Sequence, residues 1–492
     1  MSDTAATRHY HLQLAAAALL GMLVRLRFVF TPISPDEGGY LAQARAWRHG
    51  ATIYRDVWVD RPQGLLALFR VYDMLGLSEA HVRLIAVVFG VLAVVSVGEA
   101  VRMLAGRNAG VAAALLAAVL VGAPAIEGFQ ANGELLGGAF SAASLAVGVA
   151  VLTGVRSRRW MYVAGLLAAA GWSMKQSGID GPLAVVLWLS VAGAARWVGR
   201  REALHHAGRM LAGAVVGVAP MVLHALLTEW SGWWYAIIGY RQEGRSAFVG
   251  ANWSALQHTW IDAAPVLLPT AFVVAFLAIG LRHTGRLFPG NRVALVLLLW
   301  LFTAGVTFVA GGQFFHHYWV ILAFPISALG GLMIGALTSW WRALALTLAL
   351  AIPVATTVPI IAQSRRLVDT TIKGDTQTVR VESAGLWLRE HMGPGDTLLS
   401  LCSGAAVYAY AHADPPYPYL WYPTFLNGRG GQEKMIALME GDSRPTWLVL
   451  IVPVKVCNPT GEVEAVIEAR YQLVAMVDEL AIMRLVSDDS SL

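Results

Sequence analysis

Of the 492 residues, 57% are hydrophobic, 14% are charged and 18 are Trp, with a mean hydropathy of +0.58. Ordinary globular proteins carry about a quarter charged residues, so this chain cannot cover itself with a polar surface in water, and a soluble protein is excluded. The formal net charge of +5 lies mostly in arginines between apolar tracts, a pattern of membrane anchoring, and no nucleic-acid partner is expected.

The class is therefore a polytopic α-helical membrane protein. Tracts of roughly 17 to 25 apolar residues, each long enough to cross about 30 Å of hydrocarbon, recur along the chain. Eleven spans are predicted, beginning with Leu12–Phe30. No cleavage site of small residues follows this first tract, so it reads as a retained span with the N-terminus inside. Arg25 and Arg27 near its outer end are expected to snorkel or to brace the first loop.

The loop over residues 31–80 follows, SPDEGGYLAQARAWRHGATIYRDVWVDRPQG at its heart. It gathers Asp36, Glu37, Asp56, Asp60 and Arg61 where charge is otherwise scarce. The acidic pair Asp36-Glu37 suits either the N-terminal cap of an interfacial helix starting near Gly38 or catalysis.

The next spans are Val82–Val101, Gly110–Ile126, Leu135–Val155, Trp160–Met174, Pro182–Val198 and Met210–Leu227, followed by Ala263–Leu281, Val293–Ala310, Trp319–Thr338 and Leu344–Ile361. Alternate connections hold Arg102 and Arg107, Arg156 to Arg159, Arg196 to Arg209, Arg282 to Arg292, and Arg342. The positive-inside rule makes this set cytoplasmic. The outer side then receives the 31–80 loop, Asn132 and Glu134 of the second loop, the turn at Lys175, the loop from Thr228 to Asp262 with Arg241 and Arg245, and the GGQFFHHY turn.

Lys175 follows an apolar span, where an ionisable side chain at membrane depth points to function, with snorkelling as the plain alternative. His316, His317 and Tyr318 suit hydrogen bonding to phosphate or sugar, or plain interfacial packing. Adjacent histidines do not share a helix face and no third ligand is near in sequence, so no metal is expected. Glu134 fits a helix start as well as it fits an acceptor-orienting role. The aromatics around Trp230 read first as interfacial anchors.

Beyond Ile361 apolar runs shorten to strand length, in TLLSLCS, TWLVLIVPV and AIMRLV, with helical patterns at VRVESAGLWLREHM and GEVEAVIEARY. Residues 363–492 are read as a small outward-facing α/β domain, and residues 1–362 as the transmembrane catalytic domain. GPGD at Gly393–Asp396 is the expected turn before its first strand. The loop DPPYPYLWYPTFLNGRGG is read as leaning on the membrane, covering the site or serving as a rigid connector. Cys402 and Cys457 are placed in two of the strands, either paired in an oxidising compartment or as buried thiols.

PDEGGYLAQARAWRHGATIYRDVWVDRPQG resembles the first outer loop of the GT-C membrane glycosyltransferases, especially the family 39 and ArnT-like group. There an Asp-Glu pair is followed by Tyr, a Gly-x-x-x-Tyr-x-Asp turn and a basic-Pro-Pro element. NGELLGG, GWSMKQSG and QFFHHYWVILAFPISALGG resemble later landmarks of the group, in order. One departure is Arg61-Pro62-Gln63 in place of Lys-Pro-Pro, which keeps a cation but changes donor geometry.

The resemblance implies transfer of a sugar from a polyprenyl-phosphate donor to an acceptor hydroxyl on a glycolipid, cell-wall glycan or protein, at the outer face of the cytoplasmic membrane, without cofactor. Asp36 takes the position of the general base, with Glu37 second to it. An acceptor hydroxyl needs such a base, and a departing phosphate needs cations or donors, here Arg61, Lys175, His316, His317 and Tyr318. Tyr40, Tyr54, Asp56, Asn132, Glu134, Arg241 and Arg245 are candidates for acceptor or sugar contact. Direct displacement predicts inversion at the anomeric carbon. The competing readings are a lipid-linked sugar flippase and a glycan polymerase or ligase. Transporters of that kind show internal repeats of spans and broken helices, which are not detected here.

Overall fold

A computed structural model describes residues 3–240, 242–243, 252–283, 291–373 and 376–486. In chain order its helices are α1 (Asp3–Leu26), α2 (Pro35–Arg48), α3 (Gln63–Met74), α4 (Leu84–Ala105), α5 (Arg107–Leu120), α6 (Gly133–Leu152), α7 (Trp160–Met174), α8 (Asp180–Ala194), α9 (Arg200–Leu227) and α10 (Trp230–Trp234). They continue as α11 (Asn252–His283), α12 (Leu295–Gly311), α13 (Val320–Gly335), α14 (Ser339–Ala362), α15 (Leu367–Lys373), α16 (Gln377–His391), α17 (Ala406–Ala411), α18 (Tyr422–Asn427), α19 (Gly431–Glu440) and α20 (Glu462–Arg470).

The chain divides into two compact units. The first holds residues 1–29, 83–223 and 245–363. Each of the eleven predicted spans coincides with one of its helices. Among the described residues, seven helical segments are long and apolar enough to cross a membrane, α5, α7 and α8 are apolar but shorter, and α1 falls in neither group. The prediction of eleven full-length spans is corrected to that extent, and the helix expected to begin at Ala263 begins at Asn252.

Helices of this unit approach through small residues, because lipid offers no hydrophobic drive for association and close van der Waals contact must supply it. Gly165 of α7 faces the Met210 carbonyl of α9, and Gly213 of α9 faces the Tyr162 carbonyl. Gly331 and Gly335 of α13 lie against Ala113 and Ala109 of α5 in the same way. Arg25 is wholly buried and donates to the Gly21 and Gly128 carbonyls at 3.0 and 3.1 Å. Arg27 donates to the Ile361 and Gln363 carbonyls at 3.0 and 2.5 Å. In these bonds neither arginine snorkels or braces the first loop: they hold the second loop and the end of α14, since a buried guanidinium must find carbonyls nearby.

The second unit holds residues 30–82, 224–244 and 364–492, so the first loop clusters with the C-terminal residues. Its sheet has the order β1-β2-β4-β3, from β1 (Leu398–Leu401), β2 (Trp447–Leu450), β3 (Tyr471–Val477) and β4 (Leu480–Leu485). β1 and β2 run parallel with Leu398 opposite Trp447, and β4 pairs antiparallel with both β2 and β3. β3 was not among the expected strands. The cysteines lie just past β1 and past the turn after β2, not within strands, and they form a disulfide with Cα atoms 5.7 Å apart. The aromatic loop packs inward: Tyr417, Tyr419 and Leu420 are buried, and the Trp58 amide donates to the Pro418 carbonyl at 3.1 Å.

Candidate active site

In the second unit Ser34 caps α2, with Pro35 as its first residue, a position where a missing amide proton costs nothing. The Ser34 hydroxyl accepts the Glu37 amide at 3.2 Å, and the Glu37 carboxylate accepts the Ser34 amide at 2.9 Å. This reciprocal capping box satisfies two orphan donors. Glu37 is fully buried in it. Asp36 stands beside it, partly exposed, with the Tyr40 hydroxyl donating to its carboxylate at 3.3 Å. Of the acidic pair, Glu37 is engaged in the cap and Asp36 lies at the first turn.

Two glycines press α2 against its neighbours. A Cβ on Gly38 would meet the Ala406 Cβ at 2.3 Å, and one on Gly39 would meet the Trp421 ring at 2.6 Å. Downstream, the chain turns at residues 52–57. Asp56 accepts the Thr52 amide at 2.8 Å and pairs with Arg55 at 3.0 Å, exposed to solvent. The Arg55 hydrogen bond holds the Asp56 carboxyl below the usual carboxylate range. Tyr54, at φ 72, is buried and donates to the Arg61 carbonyl at 2.8 Å. Arg61 is buried and pairs with Asp60 at 2.5 Å. Gln63, the third residue of the Arg61-Pro62-Gln63 element, accepts the Trp233 indole at 2.9 Å.

The first unit brings together four of the sequence-predicted residues. Lys175, at the end of α7, forms a buried ion pair with Glu134 in the first turn of α6, and its ammonium stands 3.9 Å from the centre of the Tyr318 ring. His317 joins the same group, 3.8 Å from Glu134 and 2.8 Å from Glu127. Asn132 caps α6 by accepting the Leu135 amide at 3.0 Å, and its side-chain amide nitrogen is a buried donor. His316 points to a different partner, Asp262 of α11, at 2.9 Å. Arg241 and Arg245 lie outside the described residues.

Sequence reasoning did not single out Glu127, Asp262 or Asp180. Asp180 opens α8 and is almost wholly buried, accepting the Ser141 hydroxyl at 2.5 Å and the Trp300 indole at 2.8 Å. The available signal was a lone carboxylate entering an apolar helix, which requires partners on neighbouring helices.

The helical bundle, the small C-terminal sheet and a long first loop opening on an acidic helix start define a multi-pass membrane protein with the GT-C fold. The structure is similar to ArnT from Cupriavidus metallidurans bound to undecaprenyl phosphate, at 17% identity and a TM-score of 0.69 over 98% of this chain and 99% of that one. It is also similar to the oligosaccharyltransferase AglB from Archaeoglobus fulgidus, in complex with an inhibitory peptide and a dolichol-phosphate, at 13% identity and a TM-score of 0.57 over 98% of this chain and 74% of that one. A family model described as dolichyl-phosphate-mannose-protein mannosyltransferase matches residues 60–224. Among curated proteins, none matches the sequence at a significant level.

Proposed function

We propose that the protein is a membrane glycosyltransferase that moves a sugar from a polyprenyl-phosphate donor to an acceptor hydroxyl, with Asp36 as general base. The observation that carries the reading is the division of labour at the start of α2, where Glu37 is spent on the cap and Asp36 remains partly exposed beside Tyr40. The lipid phosphates named with ArnT and AglB support the donor class.

In this reaction the acceptor oxygen forms a bond to the anomeric carbon as its proton passes to the Asp36 carboxylate. The bond from that carbon to the donor phosphate oxygen breaks, and the electron pair leaves with polyprenyl phosphate. A single displacement inverts the anomeric centre. A correctly placed base contributes about 10²- to 10⁴-fold, and donors aimed at the leaving oxygen add to this. Arg61, in the same unit as Asp36, is assigned to that charge, and Lys175, with Tyr318 and His317 beside it, is the buried cation of the other unit. Each cation is held by a carboxylate in its own unit, Glu134 for Lys175 and Asp60 for Arg61, which fixes its position without solvent. The positive-inside pattern and the disulfide support an N-terminus inside and a C-terminal domain on the oxidising, outer side of the inner membrane.

The test is transfer of labelled sugar from a panel of polyprenyl-phosphate donors into a membrane extract, by wild type and by Asp36→Asn. Loss of transfer in a folded variant that still binds donor supports the reading. A wild-type protein that transfers nothing, yet carries lipid-linked sugar across vesicles, replaces it with the flippase.

A further inference from the structure

The C-terminal portion of the second unit braces α2 from one end to the other through a single short helix, α17. At the leading end the Ile33 amide, one residue before the Ser34 cap, donates to the Tyr410 hydroxyl at 2.8 Å in a buried environment. In the middle, Gly38 lies directly on Ala406. Toward the far end, Arg45 donates to the Ala409 carbonyl at 3.3 Å. The Tyr410 hydroxyl is itself held, because it also hydrogen bonds the Glu382 carboxylate of α16. Arg365 pairs with Glu382 and donates to the Phe30 carbonyl. Residues 30–33 are thus tied at two backbone atoms, the Phe30 carbonyl and the Ile33 amide, to one cluster of Arg365, Glu382 and Tyr410.

We propose that Tyr410 is a positioning residue for transfer: it fixes the backbone that leads into α2 and thereby sets where the Asp36 carboxylate stands. The inference rests on the reading of Asp36 as the base. A general base is effective only within hydrogen-bond reach of the proton it takes, and misplacement of about 1 Å can cost about a hundredfold in rate. Two residues separate Ile33 from Asp36, and Ser34 and Pro35 between them are the cap and the first helical residue, so a shift at Ile33 carries into the first turn. In this role Tyr410 acts through the backbone that leads into α2.

The experiment uses the full-length protein in lipid nanodiscs and compares wild type with Tyr410→Phe, which keeps the ring and removes the hydroxyl, and with Glu382→Gln, which keeps an acceptor for that hydroxyl. Transfer kinetics with polyprenyl-phosphate sugar are read beside hydrogen exchange of peptides covering residues 30–40. The expected result for Tyr410→Phe is a kcat lower by about tenfold, a donor KM within about twofold, and faster exchange confined to residues 30–40. Glu382→Gln is expected to stay within about threefold of wild type. Unchanged kcat and unchanged exchange in Tyr410→Phe overturn the proposal, as does a loss of kcat accompanied by faster exchange throughout the unit, which marks a merely structural role. If Asp36→Asn retains full transfer, the base assignment fails and the proposed positioning role fails with it. Local exchange then still reports whether Tyr410 anchors the loop.

Discussion

The Lys175 ammonium is shared between the Glu134 carboxylate and the face of the Tyr318 ring, whose centre is 3.9 Å away, and all three side chains are buried. Three separate stretches of sequence meet there: the end of α7, the start of α6 and the turn before α13.

Removing one member of this pair leaves a buried charge. Lys175→Met and Glu134→Gln are each expected to lower stability by about 3 kcal/mol, because breaking a buried ion pair costs more than replacing it whole. The double variant should lose less than the sum of the two. Thermal unfolding in detergent measures all three, and strict additivity would show that the pair is not coupled.

At the start of α2 the two acidic residues should separate cleanly. Asp36→Asn is expected to lower transfer at least about a hundredfold with little change in melting temperature. Glu37→Ala should cost about 1 kcal/mol of stability through loss of the cap. A Glu37→Ala protein that melts like wild type would contradict the capping role.

Gly165 and Gly213 bring α7 and α9 together at backbone distance, where an added Cβ would stand 2.0 and 2.1 Å from a carbonyl oxygen. Gly165→Leu or Gly213→Leu is expected to cost more than about 3 kcal/mol, since overpacking against backbone cannot be relieved by a rotamer change. The expected readout is loss of the monodisperse peak in size-exclusion chromatography, and a variant that purifies normally refutes the tight crossing.

The disulfide between Cys402 and Cys457 closes a loop of 55 residues' separation. Replacing both with Ser should destabilise the second unit by about 2–4 kcal/mol. Limited proteolysis with and without reductant reads this directly. Equal protection in both conditions would assign the bond no stabilising part.

The apolar tracts were legible because burial in lipid leaves a continuous local signal, and each one became a helix. The start of α2 was legible only in part: the acidic pair announced a helix expected to begin near Gly38, whereas Ser34 caps it and Pro35 opens it. β3 was not, because Leu473, Val474 and Met476 are largely exposed on an edge strand and give no inward-facing alternation to read. Glu127 and Asp180 escaped for another reason. Their partners, His317 and Trp300, lie more than a hundred residues away, and no local period encodes such a meeting. The membership of residues 30–82 in the C-terminal unit has the same origin.

That membership bears on how the protein is made. Residues 30–82 leave the ribosome long before residues 364–492, yet the two complete one unit. Contacts so far apart in sequence form late, after a large loop-closure entropy has been met. The acidic helix therefore waits, unbraced, until Tyr410 and its neighbours have been synthesised. A chain truncated within residues 364–492 would keep every apolar helix of the first unit but leave the acidic helix without its brace, and on the proposed reading it is expected to be inert.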